Sequence, residues 1–544
     1  MSNEWWRTAV IYQVYIRSFA DGDGDGIGDL AGIRSRLPYL RDLGIDAVWI
    51  TPFYPSPMAD GGYDVADYRD IEPLFGTLDE ADRLIAEAHD HGIRVIVDIV
   101  PNHSSDQHVW FQAALAAGPG SPERARYVFR PGRGDDGSVA PTDWDSTFGG
   151  PAWTRVPDGD WYLHLFAPEQ PDFNWENPEV VEEFEDIVRF WLDRGADGFR
   201  IDVANALKKD QAFPDVGAED EGVLVPHQGP AHPFWDRDEV HEVYRGWRKV
   251  SDTYAGDRAF VAEAWVDDPA RLALYTRPDE LHTAFNFNFV RAAWDADELR
   301  RTIDVSTAAA TEVGAPTTWV LSNHDVTRHA TRYARLDRTG GGVADDERVR
   351  PDTPLHPERG LRRARAAELL LLGLPGSAYV YQGEELGLPE VVDLPEEVLA
   401  DPIWERSEHR LRGRDGCRVP VPWEREGPSL GFGDGAPWLP QPADWADRSV
   451  QAQQGDDGST LELYRSALRL RHELLGGGDL EWLDSPAGSL VFRRRTPAGE
   501  VLCAVNLDTQ PIDLPAYDRV LLASVPLDGD HPERLPGDAA VWLG

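Results

Sequence analysis

Apolar residues gather in short runs separated by longer amphipathic stretches. The runs are AVIYQVYIRSF (9–19), DAVWIT (46–51), RVIVDIV (94–100), GFRIDVA (198–204), RAFVAEAW (258–265), HTAFNF (282–287), TTWVLSN (317–323) and SAYVYQGEE (377–385). Several lack the strict alternation of a strand with one wet face, so they read as strands buried on both faces. The stretches between them carry helix signals. DEADRLIAEAHDHG (79–92) stops at Gly, and PEVVEEFEDIVRFWLDRG (178–195) has Pro near its start and Gly at its end. Eight strand–helix units predict an α/β fold, a (β/α)8 barrel.

The spacing is uneven. About ninety residues separate the third and fourth runs, far more than a usual βα loop. Residues 104–170 are rich in Gly, Pro, Asp and Trp and predict a small inserted domain. The barrel then comprises 1–103 and 171–475, with a loop-rich subdomain at about 386–450 and a closing helix at about 459–474. From 476 to 544 short strands such as SLVFRRR and AAVWLG predict a C-terminal antiparallel β-sandwich.

Catalytic groups of such barrels lie at the C-terminal strand ends. Here those ends carry Asp98, Asn102 and His103 on the third strand, Arg200 and Asp202 on the fourth, Glu263 on the fifth, and His324 and Asp325 on the seventh. Tyr63 and Asp64 follow the second. Arg200 and Asp202 are two residues apart, so they share one face of their strand. Burying that charge is costly unless it is paired or used. Several acids around an apolar pocket suit glycoside hydrolysis, where one carboxyl stays protonated and a second stays ionised. Arg200 beside Asp202 serves the second need.

Composition narrows the partners. With 96 acidic against 53 basic residues the net charge is −43, which argues against nucleic acid and anionic membrane surfaces. The high count of 20 Trp offers flat faces for sugars. Two cysteines, Cys417 and Cys503, form no disulfide framework. The opening MSNEWWRTAV lacks the basic and apolar regions of a signal peptide, and the most apolar run, 366–381, is broken by Gly and Pro. The expected location is the cytoplasm. DGDGDGIGDL (21–30) spaces carboxylates like the start of an EF-hand loop, but Gly32 stands where a closing Glu would be.

The ordered set GGYDVADY, DIVPNHSS, GFRIDVA, AEAW and SNHD resembles the α-amylase family, nearest its α-glucosidases and oligo-1,6-glucosidases. The resemblance spans nearly the whole chain. It implies a retaining mechanism with Asp202 as nucleophile, Glu263 as acid/base and Asp325 as transition-state stabiliser, the two reacting carboxyls roughly 5–5.5 Å apart. It implies that His103 and His324 bond sugar hydroxyls, that Tyr63 stacks beneath the ring, and that Asp64 grips the far end of the sugar together with Arg418 of GRDGCRVPVPW (413–423). Phe166, Gln170, Arg200 and Val203 complete the implied substrate-binding set. In the acidic loop it implies a structural Ca²⁺, with Mg²⁺ as the alternative, on Asp21, Asp23, Asp25, Asp29 and the carbonyl of Ile27. In relatives Val after the nucleophile goes with α-1,6 cleavage, and QPDFN (170–174) is similar to the QPDLN of oligo-1,6-glucosidases. The 413–423 stretch departs from that subgroup. The expected partner is a short oligosaccharide, with oligomeric state left open. The rivals are a glucosyltransferase or isomerase of the same family and, in another class, a non-catalytic binding protein on this fold.

Overall fold

The computed structural model describes residues 4–217, 231–335, 351–529 and 532–544. Its centre is an eight-stranded parallel sheet. The strands are β1 (Val10–Val14), β2 (Ala47–Ile50), β3 (Arg94–Ile99), β7 (Gly198–Ile201), β8 (Ala259–Ala262), β9 (Thr283–Ala284), β10 (Thr318–Val320) and β11 (Ser377–Tyr381). β4–β6 belong to the insertion described below. The order β10-β11-β1-β2-β3-β7-β8-β9 rolls up, and a parallel bridge between Phe285 and Thr318 joins its two edges. This is the nearly closed barrel that the eight runs predict. The first run is only partly strand: the chain leaves β1 at Val14 and turns through a 3-10 helix at Ile16–Ser18.

Each barrel strand serves two cores, which is why its sequence does not alternate. Val10, Val48, Val95, Phe199, Phe260, Trp319 and Val380 face the surrounding helices. Ile11, Trp49, Ile96, Val261, Val320 and Tyr379 fill the barrel. One pleat on, the inward positions turn polar: Gln13 follows Ile11, Asp98 follows Ile96 and Glu263 follows Val261. The helices begin where their caps say. The Thr77 hydroxyl accepts from Glu80 N at the start of Leu78–Asp90, and the Asn177 side chain accepts from Glu179 N with Pro178 in the first turn.

Between β3 and β7, residues 104–170 contain a three-stranded antiparallel sheet of β4 (Phe129–Pro131), β5 (Trp153–Arg155) and β6 (Asp160–Leu163). Its apolar side packs with Val203, Ala206, Phe234, Trp235 and Ile403 in one cluster. The insertion thus forms a wall over the end of β7.

Past the closing helix Thr460–Leu474 the chain becomes antiparallel. A five-stranded sheet in the order β12 (Asp479–Trp482), β13 (Ser489–Thr496), β14 (Gly499–Asn506), β18 (Ala539–Leu543), β16 (Val520–Ala523) stands beside a ribbon of β15 (Ile512–Asp513) and β17 (Arg534–Leu535). Val491, Ala504, Val541, Ile512 and Leu535 fill the space between. The other sheet face meets the helix Pro357–Gly373, where the Trp542 indole donates to Leu369 O at 3.0 Å. Among the described residues no helix is long and apolar enough to cross a membrane.

Candidate active site

A pocket of about 710 Å³, mouth included, opens at the C-terminal ends of the barrel strands. Its lining includes Tyr63, His103, Phe166, Asp202, Val203, Glu263, His324 and Asp325, eight of the residues that sequence reasoning singled out.

The floor is built from β3, β7 and β8. A Cβ at Gly198 would lie 1.9 Å from Ala259 O, so β7 approaches β8 closely only because its first residue is glycine. Register pairs Asp98 with Arg200. Arg200 is fully buried and makes an ion pair with Asp98 (3.1 Å) and with Asp202 (2.5 Å), while Glu263 stands at 3.6 Å. Three carboxyl groups therefore share one guanidinium. Asp98 also accepts from Trp49 Nε1 (3.1 Å) and the Tyr63 hydroxyl (3.0 Å). Beyond Asp202 the backbone bends sharply. Val203 has φ 45°, a left-handed conformation that β-branched residues rarely adopt. Its N–H reaches Glu263 Oε2 at 2.7 Å.

The second side of the pocket is carried by loops. Asp325 Oδ1 accepts from both Arg414 Nη1 and Arg418 Nη2 at 3.1 Å. Arg414 also pairs with Asp60 (2.6 Å) and Asp401 (2.6 Å). The His324 ring stacks on Tyr63 at 5.3 Å and 9°, and its Nδ1 meets Gln13 Nε2 at 2.7 Å.

Two placements correct the expected sugar grip. Asp64 does not line the pocket. Its carboxylate accepts from the N–H groups of Ala59 (2.9 Å) and Asp60 (3.0 Å) and from the Ser56 hydroxyl (2.9 Å), stapling its own loop. Asp60, four residues earlier, faces the cavity instead. Arg418 likewise lies behind the lining: it donates to His324 O at 2.9 Å and sits 5.3 Å over the Tyr15 ring. Arg414 of the same stretch reaches the pocket. Both arginines converge on Asp325 Oδ1 from either side of a 3-10 turn at Asp415–Cys417, Arg414 continuing to Asp60 and Asp401 and Arg418 to His324 O. Gln170 and Arg200 are also buried behind the lining. The Gln170 amide nitrogen sits 3.1 Å from Asp60 Oδ2 and 3.0 Å from His103 Nε2.

Thr147, Phe148, Asn205, Trp235 and Trp265 line the pocket too and went unnoticed in the sequence. Only Trp265, two residues past Glu263, carried a signal, because it shares that residue's strand-end motif.

Burial raises the carboxyl pKa values of Asp202 and Glu263; Arg200 opposes it for both, and the mutual repulsion of the acids adds to it. The floor therefore keeps a proton to higher pH than an isolated carboxyl. Asp325 differs. Burial acts upward there as well, but the guanidiniums of Arg414, Arg418 and Arg200 outweigh it and hold the group below the usual carboxylate range. Burial pushes His103 down to about 3 and holds His324 well below the ordinary imidazole value, so both rings are neutral and able to donate and accept. Burial raises Asp64 to about 6.

In the loop after β1, carboxylate oxygens of Asp21, Asp23 and Asp29 lie within 4.8 Å of one another, a donor set that fits a hard cation. Asp25 is not in that group. Its carboxylate accepts from Ile27 N at 2.8 Å. The loop is clasped to the late subdomain by Asp21 N to Phe432 O (2.8 Å) and Trp438 N to Gly26 O (3.0 Å).

Comparison with known proteins agrees with this architecture. Residues 13–476 match the model of the alpha amylase catalytic domain, and 476–542 match a domain of unknown function. A probable alpha-glucosidase of Rhizobium meliloti is 37% identical, covering 99% of this chain and 97% of its own. An oligo-1,6-glucosidase of Parageobacillus thermoglucosidasius is 34% identical over 93% and 91%. Among solved structures, an alpha-glucosyl transfer enzyme superposes with a TM-score of 0.85 at 37% identity, covering 99% of both chains. An isomaltulose synthase mutant from Erwinia rhapontici gives 0.84 at 29%, covering 99% and 98%.

Proposed function

This chain belongs to the α-amylase family of glycoside hydrolases, and from that premise we propose that it is an exo-acting, retaining α-glucosidase of short α-glucosides. The observation that carries the reading is the shared guanidinium: Arg200 holds Asp202 at 2.5 Å and Glu263 at 3.6 Å over one pocket floor. The closer guanidinium contact favours and aims the anionic form of Asp202 against the burial that raises its pKa, while the looser Glu263 is the carboxyl left to carry a proton. Asp202 attacks the anomeric carbon as the glycosidic C–O bond breaks, and Glu263 gives its proton to the departing oxygen. Water then attacks the same carbon. Glu263 takes the water's proton, and Asp202 leaves as carboxylate. Asp325, anionic between two arginines, opposes the positive charge that develops on the sugar ring. The Asp60–Arg414 pair closes the far end of the pocket, which favours removal of single glucose units from a chain end.

Transfer of the glucosyl group to a second sugar is the other reading. It is favoured by the apolar wall of Phe148, Phe166, Val203, Trp235 and Trp265, a surface on which an acceptor can displace water, and by the likeness to a glucosyl transfer enzyme. Val203 would shape the berth of the second sugar and so weigh α-1,6 against α-1,4 bonds. Asp21, Asp23 and Asp29 would hold a structural Ca²⁺ whose chemistry is to tie the β1 loop to the late subdomain. The buried thiols Cys417 and Cys503 suit a reducing compartment, and we place the protein in the cytoplasm.

The test is proton NMR of the first products from maltose and isomaltose at equal concentration. Early α-glucose is the expected result. Early β-glucose overturns the retaining mechanism, and a new disaccharide as the main product assigns the protein to the transferases.

A further inference from the structure

Both oxygens of Glu263 are held by groups that can only give hydrogen bonds. The Val203 N–H donates to Oε2 at 2.7 Å, and the Trp265 indole N–H donates to Oε1 at 2.6 Å. Neither a backbone amide N–H nor an indole N–H can accept one. A proton on this carboxyl therefore cannot turn toward either neighbour and is left facing the cavity. The indole is itself fixed. Its ring lies 3.8 Å from that of Phe287 with the planes at 9°, and Phe287 begins the short helix after β9. Trp265 also lines the pocket.

We propose that Trp265 is a positioning residue for the acid/base, its indole N–H orienting the Glu263 carboxyl so that the proton points at the departing sugar oxygen. This rests on Glu263 as the acid/base of the proposed function. The same contact bears on both halves of the reaction. A hydrogen bond given to a carboxyl is stronger when the group is ionised, so the indole eases loss of the proton in the first step. It also favours the carboxylate that must accept a proton from water in the second. The Val203 N–H and Arg200 act in the same direction as the indole, while burial, Asp202 and Asp325 act against it, with Tyr244 packed nearby. Phe287 adds no charge.

The test uses Trp265→Phe, which keeps an aromatic ring against Phe287 and removes the donor, beside Phe287→Leu, which keeps the donor and loosens the stack. In Trp265→Phe the alkaline limb of kcat/KM should move up by roughly one pH unit, the scale of one hydrogen bond to a charged group. On an activated aryl α-glucoside, where breakdown of the glucosyl-enzyme limits turnover, kcat should fall about tenfold at acid pH. Phe287→Leu should leave the alkaline limb in place. Coincident limbs for Trp265→Phe and wild type, or equal shifts in the two variants, overturn the proposal and leave only packing. Glu263→Ala separates this from failure of the underlying reading. Loss of activity on poor leaving groups, restored by azide with the aryl glucoside, upholds the acid/base role. Retention of wild-type kcat/KM on maltose overturns that role and the proposal with it.

Discussion

The two halves of the pocket are built differently. Asp98, Arg200, Asp202 and Glu263 sit on or directly past barrel strands, at positions set by a parallel register in which Asp98 and Arg200 are direct partners. Asp60, Arg414, Trp235 and Asp325 come from loops separated by up to 354 positions, tied by ion pairs such as Asp60–Arg414. The strand-borne half places charge where burial raises carboxyl pKa values. The loop-borne half surrounds Asp325 with arginines and lowers its pKa. One pocket thus contains a carboxyl group prone to hold a proton and another kept ionised, an environment-made separation of the kind that acid/base chemistry uses.

The largest effect should come from the strand-borne half. Asp202→Asn should lower kcat on maltose by roughly 10⁴-fold, about 5.5 kcal/mol of barrier, with KM little changed. A loss under tenfold breaks the assignment of Asp202 as nucleophile. The pH profile sharpens the contrast. Because burial raises Glu263, its acid form persists above the ordinary Glu value of about 4.3. Activity should be lost only as pH rises through that raised pKa, and Glu263→Gln should abolish the alkaline limb. Within the loop-borne half, Arg414→Ala should raise KM by roughly 10- to 100-fold, the cost of unpairing Asp60 and Asp325 in a buried site. Asp64→Ala should instead lower the unfolding midpoint, since it removes the staple of its loop, with KM near wild type. If Asp64→Ala matches Arg414→Ala in KM, the corrected grip fails. The smallest effect is expected at the acidic loop. Chelation should lower the unfolding midpoint by a few degrees through lost binding energy, leaving kcat at 25 °C unchanged, and Asp21→Asn should be insensitive to chelator.

The strand-borne half was legible in the chain. Eight doubly apolar runs predict the barrel, and a period of two places Arg200 and Asp202 on one face. The loop-borne half was legible only to the level of the motif. GRDGCRVPVPW contains two arginines four apart, and only their tertiary partners show that Arg414, paired with Asp60 and Asp401, rather than Arg418 lines the pocket. On either side of Tyr63, Asp60 and Asp64 are chemically alike, and the difference lies in which carboxylate the loop amides consume. Trp235 falls in a long excursion after β7 with no periodicity to mark it, and it reaches the pocket only because the inserted sheet packs there.

The sequence by itself therefore determined the barrel, the charged strand ends and the family to which they belong, because strand periodicity and strand-end motifs are local patterns that the chain carries residue by residue. Only the tertiary structure decided which Asp and which Arg close the pocket, that three acids share Arg200, and that an indole holds Glu263. Those outcomes depend on how side chains meet across the fold, from two residues apart at Glu263 and Trp265 to 354 at Asp60 and Arg414, and on burial, which gives identical side chains different charges.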